Sequence, residues 1–193
     1  TMNVSVYQRN TTDVIERVST FENNITTFKP MNIGTEKSTG VEFNGKFRLH
    51  KNFTLLGDFN YSYFSRNGEL EGTSFDFSAD KWSTKWTVKT KLPAKIDFEV
   101  TGRYQSAYQT VQGTVSDQLY ADLGFRKKML KGKAVVSISV RDVFASRVRE
   151  SETIQPTFYS YSQNFRGRFI SLGFSYGFGK GEAMEYSGQR RRH

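Results

Sequence analysis

From Arg168 to Gly179 the chain reads RFISLGFSYGFG, with Ile170, Leu172, Phe174, Tyr176 and Phe178 on every second position and Ser171, Gly173, Ser175 and Gly177 between them. Side chains of a β-strand alternate between its two faces, so this spacing predicts a strand with one large apolar face and one small polar face. The same period recurs along the chain. Val41, Phe43, Phe47 and Leu49 alternate with Glu42, Asn44, Lys46 and Arg48, and Phe53, Leu55, Phe59, Tyr61 and Tyr63 alternate with Thr54, Asp58, Asn60 and Ser62. Trp82, Trp86, Val88 and Leu92 continue it, then Ile96, Phe98, Val100 and Tyr104, then Leu119, Ala121, Leu123 and Phe125, then Val136, Ile138 and Val140. With a weaker run at Met2, Val4 and Val6, the expectation is an all-β, antiparallel fold of about eight strands with no helical segment.

The connections fall into two classes. Three residues, 50–52, separate Leu49 from Phe53, and three, 93–95, separate Leu92 from Ile96. A two-residue Lys131-Gly132 turn would pair Met129 with Ala134, Gly132 supplying the positive φ. Each of these lengths keeps the apolar residues of both strands on one face. The other connections, roughly 10–39, 65–81, 106–114 and 145–165, are long and polar and are expected to be loops. Because strand direction alternates, all short turns fall at one end of the sheet and all long connections at the other, as in an outer-membrane barrel.

Alternation alone also suits a soluble sandwich. Strands of nine to twelve residues match the ~9–11 needed to cross the hydrocarbon layer, and Tyr61, Tyr63, Phe64, Trp82, Trp86, Tyr176 and Phe178 gather near segment ends as interfacial aromatics do. The reading is therefore a transmembrane β-barrel over residues 1–179, followed by a basic extension, 180–193, with a soluble β-sandwich binding module as the alternative. Its polar face, bearing Lys46, Arg48, Lys85, Lys89, Asp97, Glu99, Arg103 and Arg141, would line a wet lumen whose cationic surplus either attracts anionic solutes or pairs within the protein. Aromatics of the long connections, Phe21 and Phe28 with Phe75, Phe77, Phe158, Tyr159 and Tyr161, would contact a ligand or partner or pack the loops together. Tyr176 and Phe178 mark the end of the strand that closes the barrel. Asp142 and Arg168 break parity on the last two strands. With Ala134 level with Tyr176 they would lie opposite, either standing clear of the hydrocarbon or forming an ion pair at the outer rim.

Several functions lack the residues they need. Mean hydropathy is −0.60 and no stretch approaches the ~18–20 apolar residues of a membrane helix. There is no Cys, which removes disulfides, thiolate metal sites and a lipoprotein anchor. The formal charge of +9 is scattered among acids rather than set in one stripe, which speaks against nucleic acid. His50 falls in a turn and His193 is the last residue, so no triad, cofactor site or metal site is expected, and the chain is not read as an enzyme. Asp97 and Glu99 share a strand face, where salt bridging to Lys89 or Arg103 outweighs acid/base work. GFGKGE, 177–182, lacks the spacing of a phosphate loop. The opening TMNVSVYQR has no signal-peptide pattern, so either one has been removed or the chain is a piece of a longer one.

The strand order, the segment VSISVRDVFASR (136–147) and the ending FISLGFSYGFGKGEAMEYSGQRRR (169–192) together resemble the C-terminal part of TonB-dependent outer-membrane receptors, in the subgroup of outer-membrane β-barrel family proteins. VRDVF resembles the penultimate-strand motif of that family, and the strand ending at Phe178 resembles its final strand. The resemblance implies a 22-stranded barrel around a plug domain, located in the outer membrane of a Gram-negative cell, importing a nutrient ligand that the sequence does not identify. Its implied partners are outer-membrane lipid, the rest of the barrel and the plug, TonB acting through that plug, and the barrel-assembly machinery acting on the last strand. The eight strands seen would be the last third of such a receptor. A small closed eight-stranded barrel with a structural or adhesion role is the alternative.

Overall fold

A computed structural model describes residues 1–178. Fourteen strands run in chain order: β1 (Met2–Thr11), β2 (Ile15–Glu22), β3 (Ile25–Asn32), β4 (Gly34–His50), β5 (Phe53–Leu70), β6 (Thr73–Leu92), β7 (Ile96–Gln105), β8 (Tyr108–Gln109), β9 (Gly113–Val115), β10 (Gln118–Met129), β11 (Ala134–Arg141), β12 (Val148–Gln155), β13 (Phe158–Phe165) and β14 (Phe169–Tyr176). Eight of them form one antiparallel sheet in the order β1-β4-β5-β6-β7-β10-β11-β14. These are the eight segments whose period-two pattern is visible in the sequence. No helix among the described residues is long and apolar enough to cross a membrane, a statement that leaves strands free to do so.

Register carries the alternation across the sheet. Val4 pairs with Phe43 and Phe43 with Phe59. Leu55 pairs with Val88, Val88 with Val100, Val100 with Leu123, Leu123 with Val140 and Val140 with Ile170. One face is thereby apolar from edge to edge. Nothing among the described residues packs on it: Val6, Leu172 and Phe174 are 74%, 77% and 69% exposed. Eight strands ~4.8 Å apart make this belt ~38 Å wide, and five alternate positions make it ~30 Å tall, so its area is roughly 1,000 Å². A soluble monomer rarely exposes a patch above ~600 Å². The soluble sandwich fails on this point, since its second sheet would have to cover that face.

The three short turns carry the expected registers, with one correction. Met129 pairs with Ala134 as expected, but around four residues, in which Leu130 accepts from the Lys133 N–H at 3.1 Å and Leu130, Lys131 and Gly132 all have positive φ. Leu92 pairs with Ile96 across Pro93, Ala94 and Lys95. At the first turn, however, His50 pairs with Phe53 around Lys51 and Asn52, and Leu49 is a bulge between Arg48 and His50. The extra residue re-aims the end of β4 while leaving the rows above it in register.

The long polar connections are not irregular loops. β5 and β6 stay paired to Leu70 and Thr73, closing at Glu71 and Gly72, both at positive φ. β2 and β3 form a ribbon closed by Asn23 and Asn24, also both at positive φ. β12 pairs with β13 on one side and β9 on the other, and β8 extends that small sheet. β4, β5 and β6 are consequently 17, 18 and 20 residues long, beyond the expected nine to twelve. Extended ribbons satisfy one another's backbone groups at any polarity of side chain, which is why composition alone misread them.

The final strand is shorter than its apolar alternation. β14 ends at Tyr176, opposite Ala134 as expected, and the Gly177 N–H donates to the Lys133 carbonyl at 2.8 Å. Phe178 follows at 89% exposed, its ring 4.9 Å from that of Tyr176 in a T-shaped contact. The expected extension, 180–193, lies outside the described residues.

Candidate functional site

The polar face of the sheet is built of registered rows. Asn44, Asp58, Lys85, Arg103 and Tyr120 lie side by side on β4, β5, β6, β7 and β10, and Glu42, Asn60, Ser83, Gln105 and Gln118 form the next row. These two rows line a cleft of about 350 Å³. Glu42 accepts from the Asn60 amide at 3.0 Å. Lys85 and Arg103, both on the expected list of interior charges, stand directly opposite each other as like charges, with Asp58 on the far side of Lys85. Among the described residues neither cation has a carboxylate within ion-pair distance. Two carboxylates, two cations and four carboxamides make a cleft with no net charge, rich in both donors and acceptors. The expected cationic surplus is therefore absent from the cleft itself.

Toward the short turns, the next row contains Thr87 and Thr101, buried and sharing a 3.0 Å hydrogen bond between hydroxyls, with Lys46 at its β4 end. Below it Lys89 lies 3.0 Å from Glu99, the ion pair expected for that strand. Arg48 belongs to the same row, opposite Thr54. Asp97 stands in register between Lys91 and Arg126. Arg141 is apart from all of these, exposed at the outer end of β11 opposite Phe169. His50 serves its own turn, its Nδ1 accepting from the Asn52 N–H at 3.4 Å.

The outer ribbons use most of their aromatics on one another. Phe75 and Phe77 are 6.2 Å apart, and Phe77 meets the buried Phe64 edge-on at 6.3 Å. Phe158 packs against Phe21 at 6.1 Å, and Phe28 lies under the Arg17 guanidinium. Tyr161 and Tyr159 remain exposed, donating to Glu150 at 2.7 Å and Glu152 at 3.4 Å. The hydrogen bond to Glu150 raises the Tyr161 phenol above its ordinary value.

Contacts that no sequence pattern announces hold these ribbons together. The Gln112 carboxamide accepts from the Ser19 N–H at 2.8 Å and donates to the Ser19 carbonyl at 2.9 Å, as a neighbouring strand would. Arg66 bridges Glu16 at 3.0 Å and Glu36 at 2.5 Å. Lys81, just outside the aromatic rim of Tyr61 and Trp82, sits 4.0 Å over the Tyr108 ring, whose hydroxyl accepts from Arg149 at 3.2 Å. Burial first, then Arg149 and Arg66, push the Lys81 ammonium below its usual range against the opposing pull of Glu36.

The Asp142–Arg168 ion pair is not formed. β11 ends at Arg141, and Asp142 turns inward at positive φ, 1% exposed. Its carboxylate accepts from the Ser146 N–H at 2.9 Å and the Arg147 N–H at 3.0 Å, while its own N–H donates to Asp122. A buried carboxylate aimed at two backbone donors fixes the loop, so it is not available at the rim.

Comparison with known proteins agrees with this architecture. The outer membrane protein beta-barrel family matches residues 1–176. The chain belongs to that family. No curated protein and no solved structure matches it. An uncovered apolar face on one side of the sheet and the polar rows around Lys85 and Arg103 on the other are the two unlike faces that the wall of an outer membrane protein β-barrel family member requires. Among the described residues no group of three or more His, Asp or Glu comes together as a metal site.

Proposed function

We propose that the chain forms one sector of the barrel wall of a TonB-dependent receptor, which imports a nutrient ligand across the outer membrane of a Gram-negative cell. The observation that carries this reading is the pair of open edges. Among the described residues β1 pairs only with β4 and β14 only with β11, leaving a row of backbone donors and acceptors unpaired by them at each side of the eight-stranded sheet. Hydrocarbon offers those groups no partner, so a membrane-spanning sheet of this kind needs further strands at both edges. A small closed barrel of these strands alone would need β1 paired with β14, and in the structure they are opposite edges.

In this role the outer ribbons surround the entrance, the polar cleft meets a plug domain or the passing ligand, TonB acts through the plug, and the last strand engages the assembly machinery. The chain contributes a wall and carries out no reaction. The test is made on the intact native protein from outer-membrane fractions. It is expected to show heat-modifiable mobility, to contain more strands than these eight, and to cross-link to TonB. A native polypeptide that closes into a barrel with these eight strands alone and never cross-links to TonB overturns the reading.

A further inference from the structure

The net charge of +9 is not spread over the molecule. Residues within four positions of the three short turns, 46–56, 89–99 and 126–137, contain eleven Lys and Arg against two carboxylates, Asp97 and Glu99, and so hold all of it. Antiparallel pairing places the three turns at one end of the sheet. Six of the eleven cations have interior parity, where Glu99 and Asp97 lie among them. The other five, Lys51, Lys95, Lys127, Lys131 and Lys133, are exposed and form no ion pair among the described residues.

We propose that these five lysines form a girdle that binds the phosphates of anionic phospholipid in the leaflet at the short-turn end. Lys127 points to the occupant. It stands on the apolar face, in register with Ile96 and Val136 and two residues beyond Phe125. A lysine there lays its carbon stem along the lipid-facing surface and carries its ammonium to the headgroups. Lys51, Lys95, Lys131 and Lys133 occupy the turns themselves, at the depth where the hydrocarbon belt ends. Leu49 and Leu130, 69% and 64% exposed at two of those turns, supply apolar contact beside the charges. Basic residues next to a membrane attract anionic lipid within about a Debye length, so the cluster acts as a unit and is sensitive to salt.

This inference rests on the membrane-spanning reading, and the experiment separates the two. The full native chain is reconstituted in bilayer discs holding equal phosphatidylglycerol and phosphatidylcholine, and the lipids retained on release are read by native mass spectrometry. Heat-modifiable mobility in the same discs reports insertion independently of lipid preference. Wild type is expected to retain phosphatidylglycerol over phosphatidylcholine by about fivefold, and less at high salt. Lys51→Gln/Lys95→Gln/Lys131→Gln/Lys133→Gln should lose the preference, the Lys→Arg set should keep it, and Lys29→Gln/Arg168→Gln at the opposite end should leave it intact. Absence of preference in wild type, its survival in the Gln set, or its loss in the opposite-end variant overturns the girdle.

Discussion

Trp86 on β6 leans over the bare backbone of Gly57 on β5, directly opposite it on the lipid-facing side, and a methyl on Gly57 would stand 2.6 Å from Trp86 Cζ3. Gly102, opposite Trp86 on β7, has nothing within 4 Å of that position. The ring has chosen one of two glycine neighbours. Gly57→Ala is expected to displace it and cost about 1–3 kcal/mol, whereas Gly102→Ala should be neutral or stabilising. Urea unfolding in bilayers, followed by tryptophan emission, compares the two; equal losses would remove the asymmetry.

The Lys89–Glu99 pair is about half exposed, at 52% and 46%, on a wet face. Solvent screening at that exposure limits it to roughly 0–1 kcal/mol. A double-mutant cycle with Lys89→Met and Glu99→Gln should return a coupling in that range that shrinks as salt is raised.

Asp142 holds two backbone N–H groups from full burial. Asp142→Ala should cost about 2–4 kcal/mol, since it strands both donors, and Asp142→Asn should cost less because one carbonyl oxygen remains. Unfolding midpoints of the two variants test the order, and an Ala variant as stable as wild type would show that the cap carries no weight.

The Gln112 carboxamide spans the Ser19 amide and carbonyl. Gln112→Ala should free the β2–β3 ribbon while leaving the eight-stranded sheet intact. Removing two bonds worth about 1 kcal/mol each predicts roughly thirtyfold faster hydrogen exchange at Ser19, with little change at Val100 on β7.

Lys81 is held below its ordinary value by burial and by Arg149 and Arg66. Between its folded and unfolded values the unfolded chain binds more protons, so stability rises with pH through that interval, and this group adds no slope on either side of it. Lys81→Met should flatten the slope, read as unfolding midpoints across the alkaline range.

The eight sheet strands were legible because a half-lipid, half-aqueous sheet imposes full contrast between alternate residues. Leu123, Val100 and Val140 could be assigned to one face from spacing alone, and their pairing follows once the turns are right. Beyond the hydrocarbon both faces of a strand are wet, the contrast vanishes, and RNGELEGTS reads as a loop although it is a paired ribbon. The Asn23-Asn24 pair was a usable turn signal there. Leu49 gave no sign of its bulge, since a bulge keeps composition and changes only the count of residues between pairs.

Lys85 and Arg103 lie together with Glu42 and Asp58 in one cleft, and the excess of cations on that face falls toward the turns, at Lys46, Arg48, Lys91 and Arg126. The order of residues by itself determined the alternation, the eight strands of the main sheet and which residues share a face, because each is set within a few residues of backbone. Only the tertiary structure decided that Gln112 reaches Ser19, that Asp142 turns inward away from Arg168, and that β1 and β14 stand at opposite edges. Those depend on register and on chain segments far apart in sequence, where no local spacing records which groups meet.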